Sequence, residues 1–173
     1  LLAAQPALQE TARREAIAAL DRNLADLPES TPLLRRIIDE AMRLYPPITR
    51  IDRQALAADE IGDIAIKKGD IVTFLPFAIH RHKELWACPD TFDAERFAPE
   101  NRAKLHRYQY IPFGAGPRIC VGARFAIVEA QIILAHWLAA RTFDVLPGHQ
   151  LEFIGTAVLR PKGGLPISLK RIR

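Results

Sequence analysis

The chain has 173 residues, of which 49% are apolar and 25% are charged. This composition excludes a disordered chain and a collagen-like fold, and the length predicts one domain with a sizeable core. Twenty-four Lys and Arg residues against 20 Asp and Glu residues give a net charge of +4 spread along the chain, which favours an acidic protein partner and no nucleic acid. Two cysteines, Cys88 and Cys120, are too few for a disulfide framework or a four-thiolate zinc site.

Two amphipathic helices are predicted in the first quarter of the chain. Apolar residues recur every four positions over 6–24, which predicts a first helix. A second helix is predicted over 32–44, with Thr31 as its N-cap and the proline pair 46–47 ending it.

The middle and the end of the chain have β-like patterns. Short apolar runs separated by turn signals between 61 and 74 predict a small sheet. No period holds over 80–111, which predicts a long irregular segment. Weak alternation over 151–172, about a turn at 161–164, predicts a terminal hairpin. The predicted class is mainly α with small β-sheets, an α+β fold.

The most apolar stretch runs from Val121 to Ala140 and predicts a helix in the centre of the core. Arg124 and Glu129 interrupt it, so we expect no membrane span in this chain. The chain starts at Leu1 and its single methionine is Met42, so we interpret it as a piece of a longer protein. Localisation stays open, and is cytoplasmic if no N-terminal anchor precedes this piece.

A Gly-rich loop with one cysteine leads into this apolar helix. Its glycines permit positive φ and close backbone approach, so the loop can aim amide groups at the Cys120 sulfur. The positive end of the helix dipole and the Arg118 cation both favour an anionic sulfur. The loop therefore predicts a metal-binding thiolate, and a buried structural thiol is the alternative.

The loop sequence FGAGPRICVG, residues 113–122, resembles the F-G-x-G-x-R-x-C-x-G signature of the cytochrome P450 family, the haem-thiolate monooxygenases. The resemblance implies that Cys120 is catalytic, as the axial ligand of the iron of haem b, iron protoporphyrin IX. It also implies that Arg118 binds a haem propionate, that Phe113 shields the sulfur and that Gly122 lets helix and haem approach closely. The implied cofactor-binding residues are Cys120, Arg118, Arg53, Phe113, Gly114 and Gly122.

Glu40 and Arg43 lie three positions apart on the second predicted helix, a spacing that by itself is usually a surface ion pair. An F-D-A-E-R-F element that contains Arg96 follows much later, as in the resembling family. The resemblance implies a buried structural triad of these three residues that supports the cysteine loop. Ala94 stands where the family has proline, and this should loosen the turn slightly.

Residues 46–53 resemble the family strand that passes the haem edge. The resemblance implies that Arg53 binds a propionate, and a solvated loop arginine is the alternative. A second segment before the last turn resembles another part of the family's substrate pocket. The implied substrate-lining residues are Ile48, Thr49, Thr156 and Ala157.

Two histidines, His80 and His82, stand at alternate positions, as in some metal sites, but no partner pair at zinc spacing accompanies them. We interpret His80 as part of an H-R-D-P-like element of the family, with Trp86 as its packing aromatic. His106 and His136 have no supporting context.

Basic residues flank the cysteine loop, and the resemblance implies that a ferredoxin or a flavoprotein reductase docks on this proximal face. A merely solvated face is the alternative. The residues concerned are Arg102, Lys104, Arg107, Arg118 and Arg124.

The resemblance covers nearly the whole chain and implies that residues 1–173 are the C-terminal part of a single cytochrome P450 domain, without the N-terminal half and the distal oxygen-activating helix. The parent enzyme is expected to insert one oxygen atom from O2 into a small apolar substrate, with NAD(P)H electrons delivered by a redox partner. The fragment alone is expected to be inactive. A haem-thiolate peroxide isomerase or dehydratase and a non-catalytic haem-binding fragment are the alternatives.

Overall fold

The computed structural model describes residues 1–148, 151–155 and 158–172. The helices in these ranges are α1 Pro6–Leu20, α2 Leu27–Ser30, α3 Pro32–Leu44, α4 Pro76–Ile79, α5 Pro99–Arg102 and α6 Ala123–Ala140. The strands are β1 Ile51–Gln54, β2 Asp59–Ile61, β3 Ile64–Ile66, β4 Ile71–Phe74, β5 Arg141–Val145, β6 Phe153–Gly155, β7 Leu159–Pro161 and β8 Ile167–Arg171. The predicted class, mainly α with small β-sheets, is confirmed.

The core lies where α1, α3 and α6 pack against one another. The buried face of α1 carries three alanines and Gln9, and the small alanine side chains let the backbone of a neighbouring helix approach closely. Leucine and isoleucine side chains from the other two helices fill the remaining space. The principal core residues of the three helices are Ala12, Ala16, Ala19, Leu34, Ile37, Ala135 and Leu138.

Polar side chains fasten the three helices to each other. The carboxylate of Glu15 on α1 accepts hydrogen bonds of 2.9 Å from the amides of Leu33 and Leu34, in the first turn of α3. Thr31 occupies the predicted N-cap position, but its hydroxyl donates to the carbonyl of Leu27 and accepts from Gln131 of α6. The helix start is therefore capped from another helix, because the local hydroxyl is already engaged.

The strands form four separate antiparallel pairs in the described residues: β1 with β4, β2 with β3, β5 with β8, and β6 with β7. The predicted terminal hairpin about 161–164 is wrong. The hairpin is the β6–β7 pair, and β8 instead pairs with β5 over five residues, from Arg141↔Arg171 to Val145↔Ile167. Pairing with β5 packs Ile167 of β8 against the core cluster that contains Phe143, so the burial of apolar surface favours the distant partner.

Two helix predictions also need correction. The first helix ends at Leu20 and not at residue 24, because a separate 3-10 turn occupies Leu24–Asp26. The helix α6 is buried on one face only, and Phe125 and Trp137 are 71% and 56% exposed. The helix carries apolar side chains of its own around its whole circumference, whereas α1, α2 and α3 cover only one side of it.

Among the described residues, α6 is the helix that is long and apolar enough to cross a membrane by length and composition. It carries Arg124 and Glu129, and it packs on α1 and α3 as a core helix does. Its composition therefore matches the interior of a domain as well as it matches a bilayer.

The cap of α3 gives a test of the helix packing. Glu15→Ala keeps a strong helix former in α1 but removes both acceptors from the start of α3, so it should lower the free energy of unfolding by about 1–2 kcal/mol. Urea unfolding followed by circular dichroism measures this loss. The matched control is Glu10→Ala on the same helix, whose carboxylate pairs with Arg13 and Arg14, and it should leave the midpoint nearly unchanged. Equal midpoints for Glu15→Ala and the unsubstituted chain would contradict the cap.

Candidate functional site

The cysteine loop is closed by its own backbone. The amide of Cys120 donates to the carbonyl of Phe113 and the amide of Gly114 donates to the carbonyl of Ile111, both at 3.0 Å. Gly114 and Gly116 have φ values of 77° and 72°, which side chains with a Cβ rarely adopt. The amides of Gly114 and Cys120 therefore do not point at the sulfur as predicted, because each donates to a backbone carbonyl of the same segment.

Gly122 acts differently from the other two glycines of the loop. Its φ is −85°, so the backbone there does not require glycine. A Cβ at this position would lie 3.9 Å from the sulfur of Cys120. Gly122 therefore leaves space beside the thiol, as the predicted close approach requires.

The thiol of Cys120 is exposed in this chain, whereas the alternative of a structural cysteine predicts a buried one. It lines a mainly apolar cavity of about 330 Å³ together with Ile48, Phe113, Arg53 and Arg118. A second cavity of about 540 Å³ shares part of this lining. The residues common to both cavities are Ile51, Arg53 and Gly114.

The donor set fits haem. Within the described ranges, no cluster of three or more His, Cys, Asp or Glu side chains is placed to hold a bare metal ion. A single thiol suits an iron that arrives with its other ligands in a macrocycle. Arg53 and Arg118 suit the propionates of such a macrocycle, since both are exposed and both line the cavity that Cys120 lines.

The two candidate propionate ligands are held in different ways. Arg53 lies on β1 opposite Val72 of β4, and its Nη1 donates to the carbonyl of Asp52 at 2.8 Å. Arg118 ends the short 3-10 turn Gly116–Arg118, two residues before Cys120. A strand and a loop thus bring two cations to one cavity.

The substrate-lining predictions have mixed outcomes. Ile48 lines the cavity of Cys120, and Thr49 is half-buried next to it but is not part of that lining. Thr156 and Ala157 lie outside the described residues. The β6–β7 hairpin that flanks them contacts the same region, because the amide of Leu159 donates to the carbonyl of Pro47 at 2.8 Å.

The structure brings Glu40, Arg43 and Arg96 together. The guanidinium of Arg43 is fully buried and binds both carboxylate oxygens of Glu40, through Nε at 2.7 Å and Nη2 at 2.8 Å. Its remaining N–H groups donate to carbonyls of the irregular segment that follows α4. Those carbonyls belong to His80, Pro89 and Thr91.

Arg96 is the looser member of the group. Its Nε lies 3.4 Å from Glu40 Oε1 without a hydrogen bond, while its Nη2 donates to the carbonyl of Cys88 at 2.9 Å. Ala94, at the position of the expected proline, is buried in the 3-10 turn Ala94–Phe97, so this departure leaves the turn intact.

Sequence reasoning missed a second buried carboxylate beside this group. Asp39, next to Glu40 on α3, is 1% exposed and binds Arg35 at 2.9 Å and Arg102 at 2.6 Å. The hydroxyl of Tyr110 donates to it as well, at 3.0 Å. The available signal was a pair of adjacent acidic residues inside the buried part of an amphipathic helix.

The network at Asp39 alters the predicted basic face. Arg102 forms an ion pair with Asp39 and lies against the rings of Phe97 and Tyr110, so its charge is partly neutralised. The other four residues of the set, Lys104, Arg107, Arg118 and Arg124, are exposed.

The cytochrome P450 family model matches residues 1–168. The chain belongs to the cytochrome P450 family. It is similar to thromboxane-A synthase of Macaca fascicularis, with 34% identity over 98% of this chain and 33% of that protein. It is also similar to cytokinin hydroxylase of Arabidopsis thaliana, with 36% identity over 98% of this chain and 33% of that protein.

Solved structures agree with this assignment. The retinoic acid-bound cyanobacterial CYP120A1 has a TM-score of 0.90 at 27% identity, and the cytochrome P450 CYP102L1 has a TM-score of 0.90 at 34% identity. Each comparison covers 99% of this chain and 40% of the solved chain. The chain spans about a third of the length of the curated relatives it matches. Family membership implies a haem cofactor, and P450 enzymes use O2 and redox partners.

Proposed function

We propose that residues 1–173 are the C-terminal, haem-binding part of a single cytochrome P450 domain and that the parent enzyme is a monooxygenase. The observation that carries this proposal is the exposed thiol of Cys120 on a cavity that Arg53 and Arg118 also line. An apolar wall, a sulfur ligand and two cations are what a flat apolar macrocycle with two carboxylates requires.

The residues of this chain have separate tasks in that proposal. Cys120 ligates the iron, and Gly122 keeps the space beside its sulfur free. Arg53 and Arg118 bind the propionates, and Ile48 presents an apolar surface to the substrate. When bound, haem supplies activation of O2 for transfer of one oxygen atom to an apolar substrate, with electrons from NAD(P)H by way of a redox partner.

The names of the relatives keep one alternative in view, since one is called a synthase and another a hydroxylase. A haem-thiolate peroxide isomerase or dehydratase needs no external electrons, whereas a monooxygenase does. Turnover by the longer parent protein with and without a reductase therefore separates the two. Turnover that persists at the same rate without the reductase contradicts the monooxygenase proposal.

The sulfur ligand is tested by the carbon monoxide difference spectrum of the haem-reconstituted chain after reduction with dithionite. A strongly red-shifted Soret band is expected, because the position of this band reports whether the protein ligand of the iron that binds carbon monoxide is a thiolate. Cys120→Ser should abolish the band. The matched control is Cys88→Ser, which removes the other exposed cysteine and should leave the band unchanged. A red-shifted band that survives in Cys120→Ser contradicts the proposal. If the 173-residue chain holds no haem, the same spectra of the longer parent protein separate a piece too short to hold haem from a wrong ligand assignment.

The redox partner is proposed to dock on the exposed cations around the loop. Arg118 and Arg124 lie on either side of Cys120, and Lys104 and Arg107 belong to the segment that leads into the loop. A ferredoxin or flavoprotein reductase with an acidic surface complements such a face, and complementary charge accelerates encounter. Arg102 contributes less to this face because Asp39 neutralises part of its charge.

Charge reversal tests this docking face in the longer parent protein. Lys104→Glu together with Arg107→Glu should slow reduction by an acidic donor about tenfold at low salt and flatten the salt dependence of the rate. The matched control is Arg14→Glu with Arg22→Glu, which changes the net charge equally at one exposed position within α1 and one just after it. Equal rates in the two double variants would show that only net charge matters.

A further inference from the structure

Two side chains hold the backbone that leads into the cysteine loop. The amide of Ile111 donates to Nε2 of His80 at 2.9 Å, and the hydroxyl of Tyr110 lies 3.0 Å from both Oδ1 and the carbonyl oxygen of Asp39. We call Tyr110 and Ile111 the loop stem. The rings of His80 and Tyr110 also pack together, with centroids 5.3 Å apart.

The stem is connected to the cysteine by the hydrogen bonds that close the loop. The carbonyl of Ile111 accepts from the amide of Gly114, and the carbonyl of Phe113 accepts from the amide of Cys120, each at 3.0 Å. A shift of the stem therefore moves the backbone that determines where the sulfur lies.

The contact of His80 with the stem requires a neutral ring. Because Nε2 accepts a proton from Ile111, the ring proton is on Nδ1, which is buried and has no hydrogen-bond partner among the described residues. Burial, with a further contribution from the cations of Arg43 and Arg81, lowers the pKa of His80 to about 4. His80 therefore remains an acceptor at neutral pH.

We propose that His80 and the Asp39–Tyr110 pair clamp the loop stem and act as positioning residues for the thiol of Cys120. The clamp and the triad fasten different parts of the backbone: Glu40 and Arg43 fasten the irregular segment 80–97, whereas the clamp fastens the entry to the loop itself. Its consequence for haem rests on the proposed function. Its mechanical part does not, since it concerns the backbone of the haem-free chain.

Amide hydrogen exchange of the haem-free 173-residue chain, measured by NMR, tests the clamp. Tyr110→Phe removes only the hydroxyl, and His80→Leu removes only the acceptor while the site stays filled. In both variants the amides of Gly114 and Cys120 should exchange at least about tenfold faster, while amides of α1 keep their rates. His80→Gln should restore the slow rates, because its Oε1 can replace Nε2 as the acceptor.

Two results would overturn the clamp. Unchanged loop rates in both Tyr110→Phe and His80→Leu would show that the stem needs neither contact. If amide exchange accelerates equally in α1 and in the loop, or if His80→Gln does not restore slow exchange in the loop, the variants have lost stability in general and the clamp does not position the loop. These outcomes are independent of the Cys120→Ser spectrum, so failure of the clamp and failure of the haem ligand are distinguishable.

Acidification supplies a second readout. The charged groups that face His80 are Arg43 from α3 and the adjacent Arg81. The Tyr110 phenol beside the stem is neutral, since its pKa is raised by burial and by Asp39. The folded-state pKa of His80 lies below its usual 6.5, so an opened loop takes up a proton that the closed loop resists. The equilibrium constant of loop opening is the exchange rate of the Gly114 and Cys120 amides divided by their intrinsic rate at the same pH. It should increase at least about tenfold from pH 7 to pH 5 in the unsubstituted chain and much less in His80→Gln. Equal increases in the two proteins would also overturn the proposal.

Discussion

The buried ion pair of Glu40 and Arg43 is the interaction on which the rest of the structure depends. Both side chains are fully buried, where an unpaired charge is strongly unfavourable. Each of the five N–H groups of the guanidinium has an acceptor, two on Glu40 and three on backbone carbonyls. The carboxylate also accepts from the amide of Asp93 at 2.9 Å. One pair thus satisfies backbone groups of a segment that has little regular secondary structure.

The helix that carries this pair organises the site through two adjacent carboxylates. Glu40 faces the irregular segment, and Asp39 faces the entry of the cysteine loop through Tyr110. The carbonyl of His80 binds Arg43 while its ring binds Ile111, so His80 connects the two networks. The loop that presents Cys120 is consequently fixed from α3, although no residue of α3 lines the cavity that Cys120 lines.

Local signals predicted the parts of the structure that depend on local chemistry. Proline at the first turn of α3 and the proline pair after it set the limits of that helix, and glycines at 114 and 116 permit the loop conformation. Pairings over long sequence distances were not predictable in this way. The β5–β8 ladder joins residues that are 22 to 30 positions apart, and Tyr110 reaches Asp39 over 71 positions. The one-sided burial of α6 was missed because its apolar pattern has no polar face to reveal which side is covered.

A double-mutant cycle at the central pair tests this account most directly. Glu40→Gln and Arg43→Met each leave the partner charge buried and unpaired, so each should cost about 3–5 kcal/mol of unfolding free energy. The double variant removes both charges of this pair, so its loss should fall short of the sum by about 2 kcal/mol or more, measured by urea unfolding. Additive losses would contradict the account, because they would mean that the two side chains act on the fold independently.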